Sequence, residues 1–351
     1  MRVADGEIAE VARGAAVWLT LRDDEGRVGR GEACPMPGRS IDDAATSKAA
    51  LELAAPALAG VSIDARAAVA EQIARALAPL DAALEATPTA RFALETALLD
   101  LAARERRVPI AELLGGPRPY HSVAMNALVW MRAGEADDEV VARARAACDA
   151  GARALKIKFP GRDDAAFARG VEAAAAVRAA LPDVELRVDL AGALALDRVQ
   201  RQLAALAPLG LRYVEQPVAA EALFELGATP VPWCADDSLD RPGAAERLAR
   251  VPACAAFVVK PAFVGLLRAR FIAELALSRG IPVVVTHGAD GPVGLAAACE
   301  LALSLSRRPL ACGLVPHARL AEFPACEVRH VRTPGIVTPS DLPGLGLGHV
   351  G

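Results

Sequence analysis

Apolar runs in this chain end repeatedly on an ionisable side chain. Ala154-Leu-Lys-Ile-Lys158 carries two lysines, Lys156 and Lys158; further on, Asp189, Glu215, Asp236 and Lys260 each close a short run. From Lys158 onward the separations are 31, 26, 21 and 24 residues. Side chains two apart on a strand share a face, so Lys156 and Lys158 point the same way. Each ammonium makes the other easier to deprotonate, and a lysine beside a second cation or shielded from water can act as a base near neutral pH. Taken alone, the pentapeptide also fits an exposed edge strand with two solvated lysines. Repetition at strand ends does not fit solvation, because charges carried by buried strands must be paired or coordinated. Asp189, Glu215 and Asp236 together make an all-oxygen set suited to a hard cation, Mg²⁺, with Mn²⁺ as a substitute. A divalent ion holding a substrate carboxylate, with Lys158 and Lys260 to either side, suits removal of the proton α to that carboxylate.

A barrel mouth would bring such strand ends together. From about residue 120 the pattern alternates strand and helix. Strands are expected at Ser122–Val129, Ala154–Lys158, Glu185–Asp189, Arg212–Glu215, Val231–Asp236, Ala256–Lys260, Pro282–Val285 and Leu310–Cys312. Helices are expected at 135–149, 163–180, 194–208, near 220, from 241, at 264–278 and at 292–306. Short apolar runs between amphipathic helices imply parallel strands buried on both faces, and eight of them form a (β/α)8 barrel with its site at the C-terminal ends. A doubly wound sheet uses the same alphabet, but no Gly-x-Gly-x-x-Gly follows the first strand.

Ahead of the barrel, residues 1–30 read as an antiparallel hairpin with its turn at Asp23–Gly26, and Gly29–Ser40 reads as an irregular Gly/Pro-rich loop. Helical periodicity follows at 44–58, 63–78 and 90–105. The expected organisation is an α+β capping domain over 1–117, a barrel over 118–318 and a C-terminal return over 319–351 that packs on the capping domain. Leu113-Leu-Gly-Gly-Pro117 marks the first boundary.

Composition narrows the class. In 351 residues with a net charge of −4 there is no Lys/Arg block, which argues against nucleic acid and membrane surfaces as partners. Apolar stretches such as Ala173–Val177 and Leu295–Cys299 are interrupted by charges too soon to span a bilayer, and Met1–Glu7 has no apolar signal core. The seven scattered cysteines form no metal knuckle and suit a reducing interior. The expectation is a cytoplasmic protein acting on a small-molecule carboxylate; its oligomeric state is not fixed by the sequence.

Lys156-Ile-Lys158, Arg187-Val-Asp189, Val214-Glu-Gln-Pro217, Asp236-Asp-Ser238 and Val259-Lys-Pro261 resemble, in order and spacing, the enolase superfamily and its muconate-lactonising subgroup. The resemblance extends over nearly the whole chain, through Arg91–Asp100 and Val108–Gly116 to Pro343-Gly-Leu-Gly346. It implies that Asp189, Glu215 and Asp236 bind the metal, that Lys158 and Lys260 flank the α-carbon, and that Lys156 assists Lys158. Gly31–Ser40 is similar to the specificity loop of the o-succinylbenzoate synthases, which dehydrate a cyclohexadiene carboxylate in menaquinone synthesis; Thr286–Gly294 sits where they carry a Ser-Ser-x-x-Glu-Ser-x-x-Gly stretch, and Gly313-Leu314 resembles their eighth-strand loop. In that family the second-strand lysine takes the proton and the sixth-strand lysine makes a cation–π contact.

Four positions depart from the pattern. Ala191 replaces the usual Asn after Asp189, Asp237 replaces a Glu, Gly265-Leu266 replaces a glycine pair, and His287 replaces a serine. The alternatives are N-acyl amino acid racemisation or dipeptide epimerisation, then muconate-type cycloisomerisation, then a weakly active relative serving as a binding protein. No Asp-x-Asp lies between His287 and Pro316, where a dipeptide epimerase would hold an amino group.

Overall fold

The structure is a computed structural model, and it describes residues 1–115, 120–132, 134–159, 161, 163–331 and 333–350. Three antiparallel strands open the chain: β1 (Val3–Val11), β2 (Ala16–Asp23) and β3 (Val28–Ala33). The expected hairpin is therefore a three-stranded sheet, because the chain turns at Ala12–Gly14 and splits one apparent run in two. The first part of the expected Gly29–Ser40 loop, Gly29–Ala33, is also strand. Gly29 and Gly31 have no side chain, and that lets β3 lie against the helix that carries Ala93: a Cβ on Gly31 would sit 1.9 Å from the Ala93 carbonyl oxygen.

Helices α1 (Ala44–Leu58), α2 (Val69–Leu77), α3 (Asp81–Ala86), α4 (Pro88–Arg106) and α5 (Ile110–Gly115) complete this unit. Asp43 caps α1 by accepting from the Thr46 amide. Helix α4 is buried almost all round and carries no single apolar stripe, as expected of a core helix. The boundary expected at Leu113–Pro117 runs into residues 116 and 117, outside the described residues.

Seven parallel strands follow: β5 (Asn126–Trp130), β6 (Ala154–Lys158), β7 (Glu185–Asp189), β8 (Val214–Glu215), β9 (Trp233–Ala235), β10 (Cys254–Val259) and β11 (Val283–Val285), paired in chain order. They are preceded by β4 (Val123–Ala124). Between them run α6 (Asp137–Asp149), α7 (Asp164–Ala180), α8 (Val199–Leu206), α9 (Ala244–Leu248) and α10 (Leu266–Ser278), and α11 (Pro292–Ser304) follows. The eighth segment closes the ring. Leu310 and Gly313 donate to Val283 and Val285 on one side, while Cys312 exchanges hydrogen bonds with Ala124 and Asn126 on the other. This is a modified (β/α)8 barrel beneath an antiparallel capping unit.

The tail returns as β12 (Cys326–Val328), β13 (Ile336–Val337) and β14 (Leu347–Val350), with β12 on β14 and β13 on β4. Gly344 exchanges backbone bonds with Val108 and Ile110, and buried Asp100 of α4 accepts from the Leu345 and Arg30 amides. Among the described residues no helix is long and apolar enough to cross a membrane.

Candidate active site

Parallel register places the chemistry on one inner face. Lys158 lies beside Asp189, and Asp189 beside Glu215, so the ends of β6, β7 and β8 present their side chains together. Asp236 follows β9, and Lys260 follows β10. All six residues singled out by the sequence meet at this mouth. Lys156 Nζ lies 2.6 Å from Glu215 Oε1 and 3.6 Å from Asp189 Oδ2; Lys158 Nζ lies 2.7 Å from Asp189 Oδ2; Lys260 Nζ lies 2.5 Å from Asp236 Oδ2.

Burial opposes charge here, and the pairing decides the outcome. Burial disfavours the Lys156 ammonium, but Glu215, Asp189 and Asp236 outweigh it and hold the group above the usual lysine range. Lys260 is raised in the same way, against burial, by Asp236, Asp237 and Glu215. Burial would lift Asp189, but Lys156 and Lys158 bring it below the ordinary aspartate value. Among the described residues no three His, Cys, Asp or Glu side chains close on a common point; Lys156 stands between Asp189 and Glu215 instead.

The donor set nevertheless fits a hard divalent cation. Three buried carboxylates supply oxygen alone, and Asp236 Oδ1 is buried without a hydrogen-bond partner.

The supporting shell explains motifs that the sequence left without a role. Gln216, the residue after Glu215, has φ of +42° and its Oε1 accepts from the Asp236 and Ser238 amides at 3.1 and 3.2 Å. It thereby fixes the turn that aims Asp236. Ala191 has φ of +47°, and its amide donates to Asp189 Oδ1 at 2.9 Å. Arg187, in register with Lys156, is fully buried, donates to the Ala311 carbonyl and stacks over Tyr213.

His287 is a brace. Its Nδ1 accepts from the Ala289 amide, so Nε2 carries the proton and donates to the Val315 carbonyl. Burial and the stacked His317 pull it down to about 4, which keeps the ring neutral.

Two further groups escaped the sequence reading. Leu128 and Trp130 pair in register with Lys156 and Lys158, yet they are 50% and 58% exposed, so they face the open mouth as an apolar wall. Trp130 lies 5.9 Å from Lys158 Nζ. The expected first strand stopped at Val129, one residue short of it. Arg39, from the capping unit, reaches Asp237 and Asp240 beyond β9. A lone arginine in a Gly/Pro loop gives no sequence signal of its target.

Comparison with known proteins gives the family. A family model described as enolase C-terminal domain-like matches residues 139–348, and one for the mandelate racemase/muconate lactonizing enzyme N-terminal domain matches residues 7–115. The chain belongs to the enolase superfamily. Among its relatives, o-succinylbenzoate synthase of Thermobifida fusca (strain YX) is 34% identical over 62% of this chain and 68% of its own. The hydrophobic dipeptide epimerase of Citrifermentans bemidjiense is 30% identical over 87% and 82%. A crystal structure of the dipeptide epimerase from Cytophaga hutchinsonii, complexed with Mg and the dipeptide D-Ala-L-Val, superposes with a TM-score of 0.83 at 22% identity. That superposition spans 99% of this chain and 96% of that one. Members of the superfamily are enzymes acting on small-molecule carboxylates, so an enzymatic role for this chain follows from membership.

Proposed function

We propose that this chain removes the proton α to a carboxylate and that its reaction is the dehydration that forms o-succinylbenzoate, a step of menaquinone synthesis. The observation that carries the proton chemistry is the placement of Lys158 and Lys260 at opposite ends of the Asp189–Glu215–Asp236 row, each reaching one end carboxylate. In this reading Asp189, Glu215 and Asp236 hold Mg²⁺, for which Mn²⁺ can substitute. The bound ion supplies positive charge for the substrate carboxylate and the dianion that forms as the α-proton leaves. Lys158 takes the proton, and Lys156 is the cation beside it on the same strand, paired with Glu215. Lys260 approaches the substrate from the other side. Trp130 and Leu128 offer the apolar part of the substrate a surface that water now covers.

One observation favours the synthase over a dipeptide epimerase. The acids between His287 and Pro316 are Asp290 and Glu300, and both are fully buried. A substrate ammonium therefore finds no carboxylate on that side of the mouth. N-acyl amino acid racemisation, which needs no such group, is the second reading, favoured by lysines on both sides.

The metal site predicts that Mg²⁺ raises the melting temperature and that Glu215→Gln abolishes the rise; an unshifted wild type sinks it. Purified protein with Mg²⁺ is then assayed on the synthase's cyclohexadiene substrate beside N-succinyl amino acids. Aromatic product without racemisation supports the synthase. Deuterium exchange of both amino acid enantiomers supports the racemase, and Lys158→Ala is expected to remove exchange on its own side while the fold persists.

A further inference from the structure

The two flanking lysines are not held alike. Lys158 has its partners inside the barrel, Asp189 at 2.7 Å and the Trp130 ring at 5.9 Å. Lys260 shares a partner with the capping unit. Asp237 Oδ1 lies 3.3 Å from Lys260 Nζ and 2.8 Å from Arg39 Nε, so one oxygen stands between two cations. Arg39 also pairs with Asp240, in the same short turn Asp237–Asp240, and its guanidinium lies 4.8 Å from the centre of the Phe263 ring, three residues beyond Lys260.

The segment that carries Arg39 is built to present it. The Met36 amide donates to Ser40 Oγ, and the Arg39 and Ser40 amides donate to the Met36 carbonyl, which closes a compact turn. Behind it, buried Asp42 accepts from the amide and hydroxyl of Thr89 at the start of α4. The guanidinium thus crosses from a turn anchored in the capping unit to the rim of the barrel.

We propose that Arg39 is a positioning residue that draws Asp237 away from Lys260, so that seating the 34–42 segment on the barrel frees the sixth-strand lysine to face the substrate. Two cations on one oxygen repel each other, so each is held there less tightly than it would be alone. With Arg39 in place, Asp237 lies nearer the guanidinium than the ammonium. Without it, Asp237 turns wholly to Lys260 and pins it against the β9 rim. The device makes Lys260 answer to the capping unit and leaves Lys158 independent of it. It also gives a reason for aspartate at 237, whose short side chain can serve both cations only when Arg39 is close.

The inference rests on the α-proton chemistry proposed above, and its test separates the two. Arg39→Ala, Arg39→Lys and the double variant Arg39→Ala/Asp237→Asn are compared with wild type, with Mg²⁺, on whichever of the two substrate classes wild type turns over. Arg39→Ala is expected to lower kcat about tenfold or more while KM moves less than about threefold, since misplacing a reacting group by a fraction of an ångström costs rate before binding. Adding Asp237→Asn is expected to restore kcat to within about threefold of wild type. Arg39→Lys should fall between, because one ammonium cannot hold Asp237 and Asp240 together. If Arg39 were only a latch, removing its partner Asp237 would deepen the loss. That result, or an Arg39→Ala enzyme within about twofold of wild type, overturns the positioning role alone. A wild type that removes no α-proton from either class overturns the reading beneath it as well.

Discussion

Ala191 stands two residues after Asp189 with φ of +47°, a left-handed conformation that costs a residue with a Cβ roughly 1–2 kcal/mol. The strained turn has a use, because it points the Ala191 amide at Asp189 Oδ1. Asparagine tolerates this conformation better than alanine, through a polar side chain that bonds locally. Ala191→Asn is therefore expected to raise stability by about 0.5–1 kcal/mol, read as a higher melting temperature, and a fall would show that the alanine is preferred for packing. At this scale the sequence was most informative where burial and charge conflict. Asp189, Glu215, Asp236 and Lys260 stand out because charges closing apolar strands must be paired or coordinated. Arg39 and Trp130 do not, since an arginine in a loop and a tryptophan at a strand end are ordinary until their neighbours are known.

The elements of the barrel were readable because each strand is a short apolar run between amphipathic helices. Those of the capping unit were less so. Strand β3 reads Val-Gly-Arg-Gly-Glu-Ala, and two glycines in six residues signal a loop. The structure makes it a strand because close contact with α4 requires that no side chain intervene, and local propensity carries no record of that contact. Gly31→Ala tests the point: its Cβ would meet the backbone of Ala93, which cannot step aside without moving α4. A loss of about 3 kcal/mol is expected from overpacking of this kind, measured by denaturant unfolding; a loss under about 1 kcal/mol would mean that strand and helix part readily. The eighth barrel segment shows the opposite case. Leu310–Cys312 was legible as strand-like from its place in the rhythm, and it closes the ring with hydrogen bonds on both sides although it is too short to form a regular strand.

Across the whole molecule, the capping unit grips the barrel through carboxylates set against the first turns of two barrel helices. Glu95 of α4 accepts from the Leu267 amide at the start of α10, and Glu32 of β3 accepts from the Gly294 amide at the start of α11 and from Trp18 Nε1. A helix N-terminus favours a carboxylate. Burial works against the charge and wins at both places. Burial, with Asp290 nearby, lifts Glu32 to about 8 against its bonds to Trp18, Gly291 and Gly294. Burial lifts Glu95 to about 7 against Leu267 and Arg91, and Asp290 to about 6. Each acid thus keeps in the folded state a proton that the unfolded chain gives up near pH 4 to 5. Unfolding then releases protons between those values and the folded ones, so stability is greatest below the window and falls as pH rises through it. For Glu32 the window runs from about 4.5 to about 8, and the slope is at most about 1.4 kcal/mol per pH unit. Glu32→Gln mimics the protonated acid and removes its share of the slope. Melting temperatures followed from pH 5 to pH 8.5 should fall less steeply in Glu32→Gln than in wild type, with the two curves converging at the acid end. Parallel curves would mean that Glu32 is ionised throughout, and that the capping unit docks on α11 through a full charge at the helix terminus instead of a neutral acid.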